Sequence, residues 1–105
     1  VRWGMDQLFA DGNLHQQVVA TARYSVNIGT MVKENVGIGL LHPVSAYDFL
    51  DSDLVLRRFE PSMPFHTLRI TPRAAAPSAQ LDDLVRVMET TLDDVMRAVE
   101  ARMKR

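Results

Sequence analysis

Residues 31–44 read MVKENVGIGLLHPV, and this stretch decides the fold class. Met31 and Val32 close a helical face that starts with Ile28. Asn35 and Gly37 follow, two residue types that tolerate the left-handed backbone that ends a helix. Ile38 to Leu41 is then apolar on both sides, as in a strand covered on two faces rather than an exposed hairpin. His42-Pro43 breaks the run, and Val44 to Leu50 reads as a short helix or turn. A helix that stops and feeds a covered strand is the repeating unit of an α/β layered sheet.

The same punctuation continues outward. Before this stretch, Met5, Leu8 and Phe9 recur at helical spacing in Val1 to Ala10 and stop at Asp11-Gly12. Val18 to Thr21 is a short β-type run. The helix from Tyr24 to Glu34 has Ser25 or Asn27 as its expected cap. After it, Leu54 to Phe59 reads as a strand, two prolines break the chain at residues 61 and 64, and Phe65 to Thr71 reads as another strand. Ser78 caps a last helix in which Leu81, Val85, Met88, Leu92, Val95, Val99 and Met103 recur at steps of four and three. About 25 residues of helix span roughly 38 Å, more than a domain this size needs. Asp82 and Asp83 suit its positive end, and Arg97, Arg102, Lys104 and Arg105 its negative end. The expected order is helix, strand, helix, strand, short helix, strand, strand, long helix.

Composition bounds the function. The chain has 105 residues, 47% hydrophobic and 24% charged, as in a single globular unit. Twelve Lys and Arg against 13 Asp and Glu give a net charge of −1. A self-sufficient nucleic-acid binder would carry a basic excess. There is no Cys, which removes disulfide frameworks, thiol catalysis and Cys-ligated zinc. No apolar run is long enough for a bilayer, and no basic-then-apolar leader signals secretion; the expected location is cytoplasmic. The first residue is Val, so we expect a start further upstream or one that has been removed.

Catalytic patterns are weak. No Gly-x-Ser-x-Gly elbow occurs. His15, His42 and His66 lack the spacing of a helical metal site and read as loop, strand-end and strand-face residues. Gly37-Ile38-Gly39 precedes a strand instead of following one, which argues against a dinucleotide loop; it reads as a helix stop followed by close packing. Asp82-Asp83 and Asp93-Asp94 read as dipole complementation and a solvated face. Arg57 and Arg58, next to Phe59 and Glu60, read as strand-face charges paired locally. The turn Arg23-Tyr24-Ser25 has two readings. It is an ordinary loop with a capping Ser, or an anion cradle in which outward amides, a guanidinium and two hydroxyls converge. We expect no enzyme, no cofactor and no metal.

Four stretches carry a family resemblance. MVKENVGIGLLHP (31–43) resembles the Leu-Val-Ala-Ala-Gly-Leu-Gly-Ile-Ala-Leu-Leu-Pro pattern of LysR-type transcriptional regulators. LVLRRFEPSMPFHTLRITPR (54–73) resembles the strand pair that follows it, SAQLDDLVRVM (78–88) the closing helix, and MDQLFADGNLHQQVVATARYSV (5–26) the helix, loop and strand that precede the ligand-side turn. The family commonly has an acidic residue where Thr21 stands, Gly where Asn35 stands, and small residues where Arg23 and Tyr24 stand. The tail beyond Thr91 is longer than usual, and HPVSA (42–46) is similar to members that sense amino acids.

The resemblance implies the C-terminal half of an effector-binding domain, an α/β periplasmic-binding-protein-like (type 2) fold that is incomplete here. Residues 1–64 would form the second lobe. Residues 65–105 would be the return strand and C-terminal helix belonging to the first lobe. It implies a small, carboxylate-bearing or amino-acid-like effector bound between lobes, with Arg23, Tyr24, Ser25, Pro43 and Val44 as contacts. It also implies a homo-oligomer, DNA contacts made through a helix-turn-helix outside this chain, and no membrane. The alternative is an oligomerisation module that dimerises through the long C-terminal helix without a ligand.

Overall fold

The computed structural model describes residues 2–104, without the side chains of Arg2 and Trp3; the expectations for Val1 and Arg105 lie outside the described residues. The elements are α1 (Arg2–Asp11), α2 (Ser25–Lys33), α3 (Pro43–Ala46) running into a 3-10 turn (Tyr47–Phe49), β1 (Leu56–Arg57), α4 (Ala79–Arg102) and β2 (Met103–Lys104). The chain is helix-rich with one small sheet. β1 and β2 pair in parallel, Leu56 beside Met103 and Arg57 beside Lys104.

The helices end as local chemistry dictates. Asn13 (φ 53°) and Asn35 (φ 62°) are the two non-glycine residues with positive φ among those described. At α1, the Leu14 N–H donates to Phe9 O at 2.8 Å and the Asn13 N–H to Ala10 O at 3.0 Å. At α2, the Val36 N–H donates to Met31 O and the Asn35 N–H to Val32 O, both at 3.0 Å. Both are Schellman closures with Asn in the left-handed position. α1 ends at Asp11-Gly12 as expected, whereas Gly37 does not take the left-handed position open to it, since no described glycine has positive φ. Asn can take that position because its short polar side chain bonds locally.

The helix starts divide. The Ser78 hydroxyl accepts the Leu81 N–H at 3.2 Å, as expected. At α2 the N-cap is Tyr24, which makes no side-chain cap bond, so neither Ser25 nor Asn27 caps it. At α3 the cap is His42, whose ring accepts from the Val44 N–H.

The expected strands at 18–21, 38–41 and 65–71 do not form, and of 54–59 only Leu56–Arg57 pairs. These segments carry apolar side chains in extended runs, but a strand also needs neighbours for its backbone groups, and among residues 2–104 those neighbours are absent. Met103, expected in the helical stripe, is a strand residue beside Leu56. Arg58 lies 3.9 Å from Glu100 of α4, a partner distant in sequence where a local one was expected.

The core sits at the C-terminal end of α4. Val99 (0% exposed), Ala46 and Phe49 are its buried members. Gly29 of α2 is buried against the Phe49 ring, so close that a Cβ there would overlap Cε2 and Cζ. Gly39 packs in the same way on Ile28 and Val32 of α2. Close helix packing is thus the role of this glycine, as its motif suggested. Arg102 fastens the end of α4, its Nη1 donating to Leu50 O at 3.0 Å and its Nη2 lying 3.6 Å from Asp51.

Away from that core the chain is open. Its radius of gyration is 17.1 Å, against about 13 Å for a compact chain of this length. Its accessible surface is 9172 Å², against roughly 5,900 Å² for a compact monomer of this mass. Ile38, Ile70, Leu68, Met88 and Val87 are among the large apolar residues left exposed.

Candidate functional site

The open side is a cleft of about 1230 Å³. Its walls come from residues 16–23, the inner face of α2, residues 36–42, residues 65–71 and the N-terminal half of α4. The periodicity of two helices places its apolar surface. Ile28, Met31 and Val32 share one side of α2; Leu81, Val85, Met88 and Leu92 recur along α4. Thr21, Arg23, Ser25, His42, Thr67, Arg69 and Thr71 are among its polar groups, together with the carboxylates of Asp6 and Glu89. An apolar pocket with a few converging polar groups is the usual form of a small-molecule site. This one exceeds the roughly 300–1,000 Å³ typical of such sites.

Of the five expected contact residues, Arg23, Ser25 and Val44 line the cleft. Chain segments some twenty residues apart are brought together there. Tyr24 and Pro43 are not among the lining residues. Tyr24 is 62% exposed, and its backbone carbonyl accepts from the Asn27 N–H at 3.1 Å as the first turn of α2 forms. Pro43 is the first residue of α3, where a missing N–H costs nothing.

Sequence reasoning passed over Arg69, Thr67 and Thr71. Thr67, Arg69 and Thr71 are polar at every second position, but the cleft is lined by Leu68 and Ile70 between them as well, so alternation alone did not single them out. His42 was also undervalued. Its Nδ1 accepts the Val44 N–H at 3.2 Å, and its ring lies 3.8 Å, centroid to centroid, from Phe65 at a tilt of 47°. Burial lowers its pKa below the ordinary value, because charging the ring would cost solvation.

Charged groups near the cleft are partly engaged. Arg69 lies 3.7 Å from Asp82 at the start of α4, and the Gln16 amide donates to Asp6. Asp83 pairs with Arg86 at 3.3 Å, and Asp94 with Arg97, each one turn apart on the exposed side of α4. A smaller polar hollow of about 430 Å³ lies between the end of α2 and residues 51–54, lined by Lys33, Asn35, Asp51 and Asp53 among others. Among the described residues no group of three or more His, Asp or Glu converges as a metal site, and no helix is long and apolar enough to cross a membrane.

Comparison with known proteins yields one relationship. No family model matches the chain, and no solved structure matches it. It is similar to the transcriptional activator protein LysR of Escherichia coli (strain K12), with 27% identity over 97 residues. The similarity covers 92% of this chain and 31% of that protein, so the chain spans less than a third of the relative's length. The motif pattern and this match agree: over nearly its whole length the chain is similar to a stretch of a LysR-type transcriptional regulator.

Proposed function

We propose that the chain is the ligand-sensing part of a LysR-type transcriptional regulator and binds a small anionic metabolite in the cleft. The observation that carries this reading is the convergence of Arg23, Ser25 and Val44, from separate segments, on one apolar cleft. Arg23 pairs with the ligand's carboxylate, Ser25 donates a hydrogen bond beside it, and Tyr24 and Pro43 hold the two turns. The fold is one part of a type 2 periplasmic-binding-protein-like domain. Residues 1–64 belong to the second lobe and residues 65–105 return to the first. The size of the cleft and the surplus of exposed surface support this, because a second lobe would narrow the one and cover the other.

In a full regulator, the ligand shifts the lobes only by binding the closed form more tightly than the open one. DNA contact belongs to a separate helix-turn-helix, in keeping with the net charge of −1. The test is a thermal-shift screen of dicarboxylates and amino acids, followed by calorimetry. A ligand should raise the melting temperature of the wild type, and Arg23→Ala should weaken it at least tenfold, the loss expected when a charge-assisted bond is removed. A panel of carboxylates and amino acids that leaves the melting curve unmoved would overturn the reading.

A second reading rests on a different observation. Leu84, Val87 and Met88 are exposed on successive turns of α4. An apolar stripe of this kind suits a second copy, and the chain would then be an oligomerisation module without a ligand. Light scattering across a hundredfold range of concentration separates the two, since only this module predicts a ligand-indifferent dimer.

A further inference from the structure

We propose that His42 is a proton-controlled positioning residue, which in its neutral form ties the turn at Pro43 and Val44 to the 65–71 segment across the cleft. This rests on the sensor reading only for its consequence, not for its chemistry. Two contacts meet at one ring, and a third at the backbone of the same residue. The Nδ1 atom accepts the Val44 N–H at 3.2 Å, so the proton of the neutral ring sits on Nε2. The face of the ring packs on Phe65, with centroids 3.8 Å apart. The His42 carbonyl accepts the Ala46 N–H at 3.0 Å and so starts α3, whose Ala46 is buried in the core.

The device follows from the inventory of the imidazole. A second proton can go only to Nδ1, which then becomes a donor facing another donor. The Val44 N–H loses its acceptor, and the ring must turn to find one. Turning the ring withdraws it from Phe65, so one proton releases both the cap and the cross-cleft contact. The ionisable groups that line the same cleft are Asp6 of α1, Arg23 before α2, Arg69 in the 65–71 segment and Glu89 of α4. Two are acidic and two basic, and Arg69 already lies against Asp82. Both remaining cleft-lining residues of the turn, Val44 and Ser45, are neutral. The effect on ligand binding is direct: Val44 lines the cleft, and its N–H is held by this side chain.

The experiment is a nuclear magnetic resonance titration of the 105-residue chain from pH 8 to pH 5, without ligand. The imidazole nitrogens of His42, the Val44 amide and the Phe65 ring are followed together. We expect one shared midpoint below 6.5 and a Val44 amide protection, taken relative to the intrinsic exchange rate at each pH, roughly five- to tenfold lower on the acid side, the loss of one cap. His42→Asn keeps an acceptor at the cap without a titrating ring, and should hold Val44 protection constant across the range. His42→Phe keeps an aromatic face for Phe65 without an acceptor, and should show low Val44 protection at every pH. A Val44 amide and Phe65 ring that ignore the His42 titration would overturn the proposal, as would an Asn variant as acid-sensitive as the wild type. Because no ligand enters these readouts, failure of the sensor reading and failure of this one are separate results.

Discussion

Replacing Gly29 by Ala sets two effects of opposite sign against each other. Gly29 lies inside α2. On helix propensity alone the substitution would stabilise the chain by about 0.8–1.0 kcal/mol. The added Cβ, however, would overlap two carbons of the Phe49 ring and lie 2.9 Å from a third, Cδ2. Phe49 is 7% exposed and belongs to the small core with Val99 and Ala46, so its ring has little room to withdraw. Overpacking of this kind costs roughly 1–3 kcal/mol, and a whole ring is displaced here, so the upper half of that range applies. The net expectation is a loss of about 1–2 kcal/mol. With a urea slope of about 1–2 kcal/mol/M for so small a chain, the midpoint falls by roughly 1 M. The double variant Gly29→Ala, Phe49→Leu should recover part of that loss, because the smaller side chain vacates the contested space. A single variant more stable than the wild type would refute the reasoning: α2 would then not rest on the 3-10 turn, and the core around Val99, Ala46 and Phe49 would be misassigned.

Four further outcomes follow from the same geometry. Asn35→Ala should cost about 1–2 kcal/mol in urea unfolding, since Ala has no means of easing φ 62°, whereas Asn35→Gly should be neutral or better. Ser78→Ala should cost about 1 kcal/mol and fray the start of α4 by circular dichroism, with Ser78→Gly costing only a few tenths. Val99→Ala removes two methyl groups from a side chain that is fully buried, and should cost about 2–3 kcal/mol by the transfer and cavity terms together. For pH, the folded chain holds the His42 ring neutral more strongly than the unfolded chain does. The unfolded state therefore binds more protons just below pH 6.5. The stabilisation is complete above that value and is lost as pH falls through the lowered folded pKa. Urea midpoints at pH 8 and pH 5 should thus differ more for the wild type than for His42→Asn; equal differences would contradict the assignment.

The helices were legible because their information is local. Apolar spacing located α1, α2 and α4 to within two residues at the ends described, and Ser78 announced itself as a cap. The one difference at these ends was local too: of Asn35 and Gly37, both open to the left-handed position after α2, Asn35 holds it. The strands were a different matter. Val18 to Thr21, Ile38 to Leu41 and Phe65 to Thr71 have strand composition, yet a strand is a property of two segments, and the second is not among these residues. The candidate site sat between these cases. Arg23 and Ser25 could be read from a turn that opens a helix. Arg69 and the cap made by His42 depend on residues 65–71 folding back across the cleft, which no spacing in the sequence encodes.

The open strand segments and the surplus surface are one observation seen twice. The chain exposes about 3,300 Å² beyond what a compact monomer of its mass would. A standard protein interface takes roughly 800 Å² from each partner, so a single helix laid on α4 would account for only part of the surplus. Covering Ile38 at 104% exposure, Ile70 at 89% and Leu68 at 77% needs backbone partners as well as apolar contact, because extended segments bury their side chains only when their amides are paired. Helical dimerisation meets the first requirement and leaves the second unmet. A lobe that contributes strands meets both. The physical chemistry of the exposed surface therefore favours the sensor reading over the module reading, independently of any likeness to a known protein.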